Sequence, residues 1–361
     1  MPKTMNCILT INDDSNFGNR LQNYALQEIL KPYGPVTTIL FDNTPKQQMK
    51  TRTKHILQDV RHMLRHPKSG FAMLRRHRAF YSFTRKIVPN DKAYETDGTV
   101  HSSASIHKVI IGSDQVWNYS FAWLAPSLRY RLGASFPEAS LLSYAASLGV
   151  DSVDQEFQPI FKRYLKRIPH ISVREIAAQK ALQPFVTQKI SVVLDPTLML
   201  SADQWRAIEP SRRQPTEPYI LTYFLGEPST EQEAQIQDFA KTHHCTIKRL
   251  NDPHDMETYA SGPREFVDLF DHATYVFTDS YHACCFSIIF SKDFKVFSRN
   301  SADLRNMNSR MTTLFDLLDL NNARTQSDDG VYPTYDHQTI QNTLHSLQQQ
   351  SSAWLRNAMM N

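Results

Sequence analysis

An α/β fold of two Rossmann-like units facing a cleft is what this sequence predicts, on three observations. Short β-branched and apolar runs alternate with helix-period runs along most of the chain, the pattern of parallel sheets covered by helices. With 361 residues, the chain is long enough for two separate cores. Between the halves, residues 209–218 carry three prolines and no apolar run, which reads as a linker.

In the first unit, residues 1–208, strands are expected over 7–11, 36–41, 109–111, 141–145, 171–173 and 191–194, each an apolar run bounded by polar or turn residues. Helices are expected over 20–30, 155–166 and 176–182. A basic segment, 46–86, reads as helical and as broken in two at Pro67-Lys68-Ser69-Gly70, since proline and glycine punctuate helices. The second unit, 219–338, opens with a strand over 219–224 and continues through helix 230–242, strand 246–250, helix 264–273, strand 273–277, helix 283–290 and strand 295–297. An amphipathic run follows at 311–320. Residues 339–361 read as a polar amphipathic helix that packs back on the first unit.

Composition narrows the function classes. With 41% hydrophobic and 21% charged residues, the chain reads as an ordinary soluble protein. Asn12, Asp13 and Asp14 interrupt the early apolar run, and no later stretch reaches membrane-spanning length, so a cytoplasmic enzyme is expected. Cys7, Cys245, Cys284 and Cys285 form no CxxC pair and read as buried packing residues. Only His243, His244 and Cys245 crowd together as metal donors, and no metal site is expected. A net charge of +4 is too mild to indicate nucleic acid. The basic residues are concentrated, however, from Lys50, Arg52 and Lys54 through Arg61, Arg65 and Lys68 to Arg75, Arg76, Arg78, Arg85 and Lys86. That cluster is either a solvated helical face or a surface for anionic lipid or a lipid diphosphate.

Chemistry-bearing residues fall at the ends of predicted strands, where open α/β sheets place their sites. His282 follows a strand and begins a helix, so it is either a hydrogen-bonded packing residue or a proton-handling, anion-binding one. Arg174 ends a strand beside Glu175 and is either that residue's salt-bridge partner or a fork aimed into the cleft. Asp114, in Gly112-Ser113-Asp114, either orients a hydroxyl and takes its proton or caps a following helix. Asn16, Gly18 and Asn19 make a turn that either caps a helix or offers amides to a ligand. Arg310 precedes the amphipathic run and is either a surface arginine or a second guanidinium.

Six strings in order, NFGNRLQNYAL from Asn16, IGSDQVWN from Ile111, SYAASLG from Ser143, SVRE from Ser172, LDPTLML from Leu194 and TDSYHACCFSIIF from Thr278, give the chain its most specific signature. Together they resemble the polysaccharide pyruvyl transferase family over about residues 6–320. The resemblance implies a GT-B-like fold and transfer of a pyruvyl group from phosphoenolpyruvate to two hydroxyls of one sugar, forming a cyclic ketal and phosphate. It implies a saccharide acceptor, lipid-linked, at the inner membrane face, with no cofactor beyond the donor. It assigns His282 and Asp114 to catalysis, and Arg174, Arg310, Ser280, Ser113, Asn16, Gly18 and Asn19 to substrate binding. Branches of the family place an arginine two residues before the histidine; here that residue is Ser280, so Arg310 or Arg299 must replace its charge. Two alternatives remain: a glycosyltransferase using a nucleotide sugar on a similar scaffold, and a saccharide-binding relative without activity.

Overall fold

A computed structural model of the chain describes residues 4–13, 15–41, 63, 67–87, 93–96, 99–102, 105–210, 217–298, 305–320, 323 and 331–360. The first unit is built on strands β1 (Thr4–Leu9), β2 (Val36–Thr38), β6 (Ser105–Ile111), β7 (Leu141–Ala146), β8 (His170–Val173) and β9 (Ser191–Val192). They form one sheet in the order β2-β1-β6-β7-β8-β9, every pair parallel. After its first residue β1 is buried throughout, and β7 is buried along its whole length, as expected of strands covered on both faces. A smaller sheet joins β3 (Leu40–Phe41), β4 (Ala93–Thr96) and β5 (Thr99–Ser102).

The second unit is a four-stranded parallel sheet in the order β11-β10-β12-β13, from β10 (Tyr219–Tyr223), β11 (Thr246–Arg249), β12 (Tyr275–Thr278) and β13 (Asp293–Val296). The fold is therefore α/β, with parallel sheets in two Rossmann-like units and a GT-B-like plan.

Helix α1 (Phe17–Leu30) is sandwiched between the units, and this explains why it buries polar residues such as Asn19, Gln22 and Asn23 along with Leu21 and Leu26. Phe17 at its start meets Tyr223 and Phe266 of the second unit, with ring centroids 5.8 and 4.9 Å away. Helix α2 (Pro67–Ile87) begins at the proline of the expected break, and residues 64–66 before it lie outside the described residues. Pro67 opens the helix, where its missing N–H costs nothing, and Gly70 lies within the first turns.

The basic cluster is also not one surface. Arg76 is buried, its guanidinium 4.6 Å from the Phe17 ring and donating to the carbonyls of Leu250 and Tyr259, each at 3.2 Å. Ala72, Arg76, Phe80 and Phe83 make the inner face of α2, while Arg75, Arg78 and Arg85 are exposed. Lys50, Arg52, Lys54, Arg61 and Arg65 lie outside the described residues.

Beyond these come α3 (Gln158–Tyr164), α4 (Ile176–Leu182), α5 (Thr230–Thr242), α6 (Pro263–His272), α7 (Tyr281–Ile289), α8 (Arg305–Leu318) and α9 (His337–Met360). The last of them touches both units. Ile340 and Leu344 pack in the cluster around β10, β12 and α7, whereas Leu355 and Met359 pack with Ile8, Leu142 and Tyr144. The Leu194 amide donates to Ser351 Oγ at 3.1 Å.

Candidate functional site

Four loops at the carboxyl ends of strands converge between the units. After β6, Gly112 has φ 130°, and a Cβ there would stand 2.1 Å from the Tyr144 carbonyl, so only glycine fits the turn. Asp114 follows at φ 58°, a left-handed conformation that aspartate adopts more readily than most residues. Turns follow it rather than the expected helix. Ser147 N–H donates to the Asp114 carbonyl at 2.9 Å, which ties this turn to the loop after β7.

Arg174, just after β8, is almost wholly buried. Its principal partner is not the neighbouring Glu175 but Asp195: Nη1 donates to Asp195 Oδ2 at 2.5 Å, while Nε lies 3.9 Å from Glu175 Oε2. Glu175 is instead engaged through Oε1, which accepts from Ser147 Oγ at 2.9 Å and Leu148 N–H at 2.8 Å. Asp195 Oδ2 also accepts from Ser113 Oγ at 3.1 Å, and Oδ1 accepts from Thr197 N–H at 2.9 Å. One buried carboxylate thus gathers Ser113, Arg174 and Thr197, and His282 Nε2 stands 3.9 Å from it.

The second unit contributes α7. Tyr281 lays its ring 4.5 Å from the Arg174 guanidinium and 5.9 Å from that of Arg310 on α8. His282 packs so closely on α1 that a Cβ on Gly18 would meet its Nδ1 at 2.1 Å. Ser280 is buried at the N-cap position of α7, and its N–H donates to Thr278 Oγ1 at 3.0 Å. The structure therefore brings Ser113, Asp114, Arg174, His282, Arg310 and Gly18 to one place. Arg299 lies outside the described residues.

Asn16 and Asn19 are also engaged in the turn itself. Asn16 caps α1, its Oδ1 accepting from Asn19 N–H at 3.0 Å. The Asn19 side chain is occupied within the protein, where Nδ2 donates to Asp114 Oδ2 at 2.8 Å and to the Ile11 carbonyl at 2.9 Å. Both residues hold the site in shape, and the Asn19 side-chain amide is already engaged within the protein. Asp195 and Tyr281 carry the geometry without having been singled out by sequence. The Asp195-Pro196-Thr197 turn, with aspartate capping the next amides, was the available signal.

Electrostatics sorts the titratable groups. Burial works against ionised Asp114 and Asp195, yet the Arg174 guanidinium, His282 and local N–H donors hold both below the usual carboxylate range. Burial lowers the His282 pKa; Asp195 and Asp114 oppose this, while Arg174 and Arg310 reinforce it, so the imidazole is neutral at pH 7. Burial, with Arg174 nearby, brings Arg310 down to about 10, still a cation. Several buried polar atoms here have no hydrogen-bond partner: Arg174 Nε and Nη2, Arg310 Nε, His282 Nε2 and Glu175 Oε2.

A model of the polysaccharide pyruvyl transferase family matches residues 16–301. The chain belongs to that family. It is accordingly a transferase, and every convergent residue above except Arg310 falls within the matched span.

No protein with a curated description matches the chain. Among solved structures, a putative UDP-N-acetylglucosamine 2-epimerase from Listeria monocytogenes is similar at 11% identity and TM-score 0.44 over 97% of each chain. UDP-GlcNAc 2-epimerase from Neisseria meningitidis, bound to UDP-GlcNAc, is 9% identical with TM-score 0.45, over 98% of this chain and 94% of that one. The wall teichoic acid polymerase TagF is 10% identical with TM-score 0.41, over 97% and 89%. At TM-scores under 0.5 these likenesses add nothing to what the strand pairings establish.

Proposed function

We propose that this family member binds phosphoenolpyruvate between Arg174 and Arg310 and transfers its pyruvyl group to two hydroxyls of one sugar in a polysaccharide precursor. One observation carries the reading: buried guanidinium nitrogens of both arginines, together with His282 Nε2, lack acceptors around the Tyr281 ring. A buried donor left unsatisfied costs ~1–3 kcal/mol, a cost that a dianionic ligand removes. Arg310 supplies the charge that Ser280 does not.

The proton states suit the reaction. Asp114, ionised at rest, takes the proton of the first sugar hydroxyl as its oxygen bonds to C2 of the donor. The C2–C3 π pair simultaneously takes a proton from His282. That imidazole is neutral in the free protein, where burial and then the arginines hold its pKa down; a bound anion offsets the arginines and so favours its protonation with the donor in place. Phosphate then leaves C2 and the second hydroxyl bonds there, giving its proton to the now neutral imidazole. The proton on Asp114 departs with phosphate.

Calorimetric titration of phosphoenolpyruvate in two buffers of different ionisation enthalpy tests this. Wild-type protein should bind with net proton uptake, His282→Gln should bind without it, and Arg310→Ala should bind at least ~tenfold more weakly, the loss of one charge-assisted contact. Absence of binding to the wild type at millimolar donor would overturn the reading.

For the acceptor, we infer a lipid-linked saccharide met at an anionic membrane. The outer face of α2 shows Phe71 at 58% and Leu74 at 41% exposure beside the exposed Arg75, Arg78 and Arg85, on a helix with no acidic residue. Exposed apolar and basic side chains at 71, 74, 75, 78 and 85 share one side of the helix, the composition of an interfacial element. Association with phosphatidylglycerol vesicles should fall steeply as salt shortens the screening length below ~10 Å, and Phe71→Ser with Leu74→Ser should abolish it. Equal association with neutral phosphatidylcholine vesicles, or none with either, would remove the membrane from the reading.

A further inference from the structure

The turn that presents Asp114 continues into a segment with an exposed tryptophan and a half-buried phenylalanine that the pyruvyl transfer reading leaves unused. Nine residues past Asp114, Trp123 is 61% exposed, and its ring lies parallel to that of Phe121, with an angle of 9° between planes and centroids 5.9 Å apart. The Arg131 guanidinium stands 5.9 Å from the indole. Single exposed apolar residues are common, but a Trp–Phe pair on the loop that carries a candidate catalytic carboxylate is a different arrangement.

This segment is firmly held. The Trp117 indole N–H donates to the Arg131 carbonyl at 3.1 Å from a fully buried position. Tyr119 stacks on Phe157 at 4.2 Å, donates its hydroxyl to the Ser152 carbonyl at 2.8 Å and accepts from Asp154 N–H at 2.9 Å. Phe121 N–H reaches back to the Asn118 carbonyl, and Leu124 N–H to that of Phe121 at 2.8 Å, so successive turns fix the backbone on either side of Trp123. A rigid indole exposed on such a scaffold costs little entropy when a ligand settles on it.

We propose that Trp123, supported by Phe121, is a platform for a sugar ring of the acceptor. A pyranose offers a flat face of C–H groups with hydroxyls at its rim. Laying that face on an indole buries apolar area on both sides and leaves the rim free to hydrogen-bond, which suits a site whose polar groups already serve the donor. Such a platform favours an oligosaccharide over a free monosaccharide, which cannot reach both the platform and the reaction centre. It rests on the proposed saccharide acceptor, but its binding can be measured without turnover.

Trp117 and Trp205 are fully buried and Trp354 is partly buried, so emission changes at an exposed indole report on Trp123. Titration with cellotetraose, chitotetraose and mannotetraose should give a saturable blue shift with at least one of them. Trp123→Ala should weaken that oligosaccharide by ~tenfold or more, about one stacked ring, and Trp123→Phe by far less. Phosphoenolpyruvate affinity and the thermal midpoint should match the wild type in both variants. Equal oligosaccharide affinity in Trp123→Ala, or no response to any of the three, would overturn the platform. Oligosaccharide binding through Trp123 without phosphoenolpyruvate binding would instead overturn the donor assignment and leave the platform standing.

Discussion

Arg174→Lys should leave a folded protein that no longer binds phosphoenolpyruvate. A lysine ammonium can still reach Asp195, which satisfies the buried carboxylate now paired at 2.5 Å. It cannot reproduce Nε and Nη2, the donors that have no partner within the protein. Two charge-assisted hydrogen bonds at ~1.5–3 kcal/mol each predict an affinity loss of roughly hundredfold or more. Arg174→Ala is the less informative variant, because stranding buried Asp195 and Asp114 costs ~3–5 kcal/mol and threatens the fold itself. The same pairing sets the acid limit. Both carboxylates have folded pKa values below their unfolded ones, so the stability they add is present above about pH 4 and is lost as pH falls from there. Wild-type donor affinity in Arg174→Lys, read by calorimetry on protein with an intact melting transition, would take the fork out of donor binding.

Gly18→Ala should separate stability from turnover. Within a helix alanine is favoured over glycine by ~1 kcal/mol, so α1 itself gains. The new methyl, however, falls 2.1 Å from His282 Nδ1 and 2.5 Å from its Cγ, distances that force the imidazole or the helix to move. Displacement of a proton-transferring group by about 1 Å costs on the order of hundredfold in rate. Phosphate release should therefore drop to that extent while the thermal midpoint moves little and donor affinity, set by the arginines, stays near wild type. Unimpaired phosphate release would show that His282 does not need its present position.

Local pattern and long-range geometry divide what the sequence reveals. Val109-Ile110-Ile111 and Tyr275-Val276-Phe277 announce buried parallel strands because such strands are apolar on both faces. Ala93–Thr96 carries no apolar run and pairs in a small sheet, so nothing marked it as a strand. The expected strand over 36–41 divides between two sheets: Val36–Thr38 pairs with β1, where the Ile39 N–H completes the ladder on the Ile8 carbonyl at 2.8 Å, and Leu40–Phe41 pairs with β4. Arg76 looked like its basic neighbours in composition; only the helical phase of Ala72, Arg76 and Phe80 distinguishes the buried face from the exposed one. His282, Arg174 and Asp114 were legible as strand-end residues. Asp195 was not, because Ser113 lies 82 positions away from it and Arg174 lies 21, and contacts across those intervals leave no periodic trace.

Two connections join the units: the chain runs from β9 of the first to β10 of the second, and α9 packs one end on each. A body fastened to another at one point can swivel in three directions, whereas fastening at two leaves a single axis through both attachments. Packing of α9 on both units thus opposes any sliding of α7 along α1. Because the His282 imidazole lies against Gly18 of α1, the terminal helix acts as an alignment pin for the proposed site.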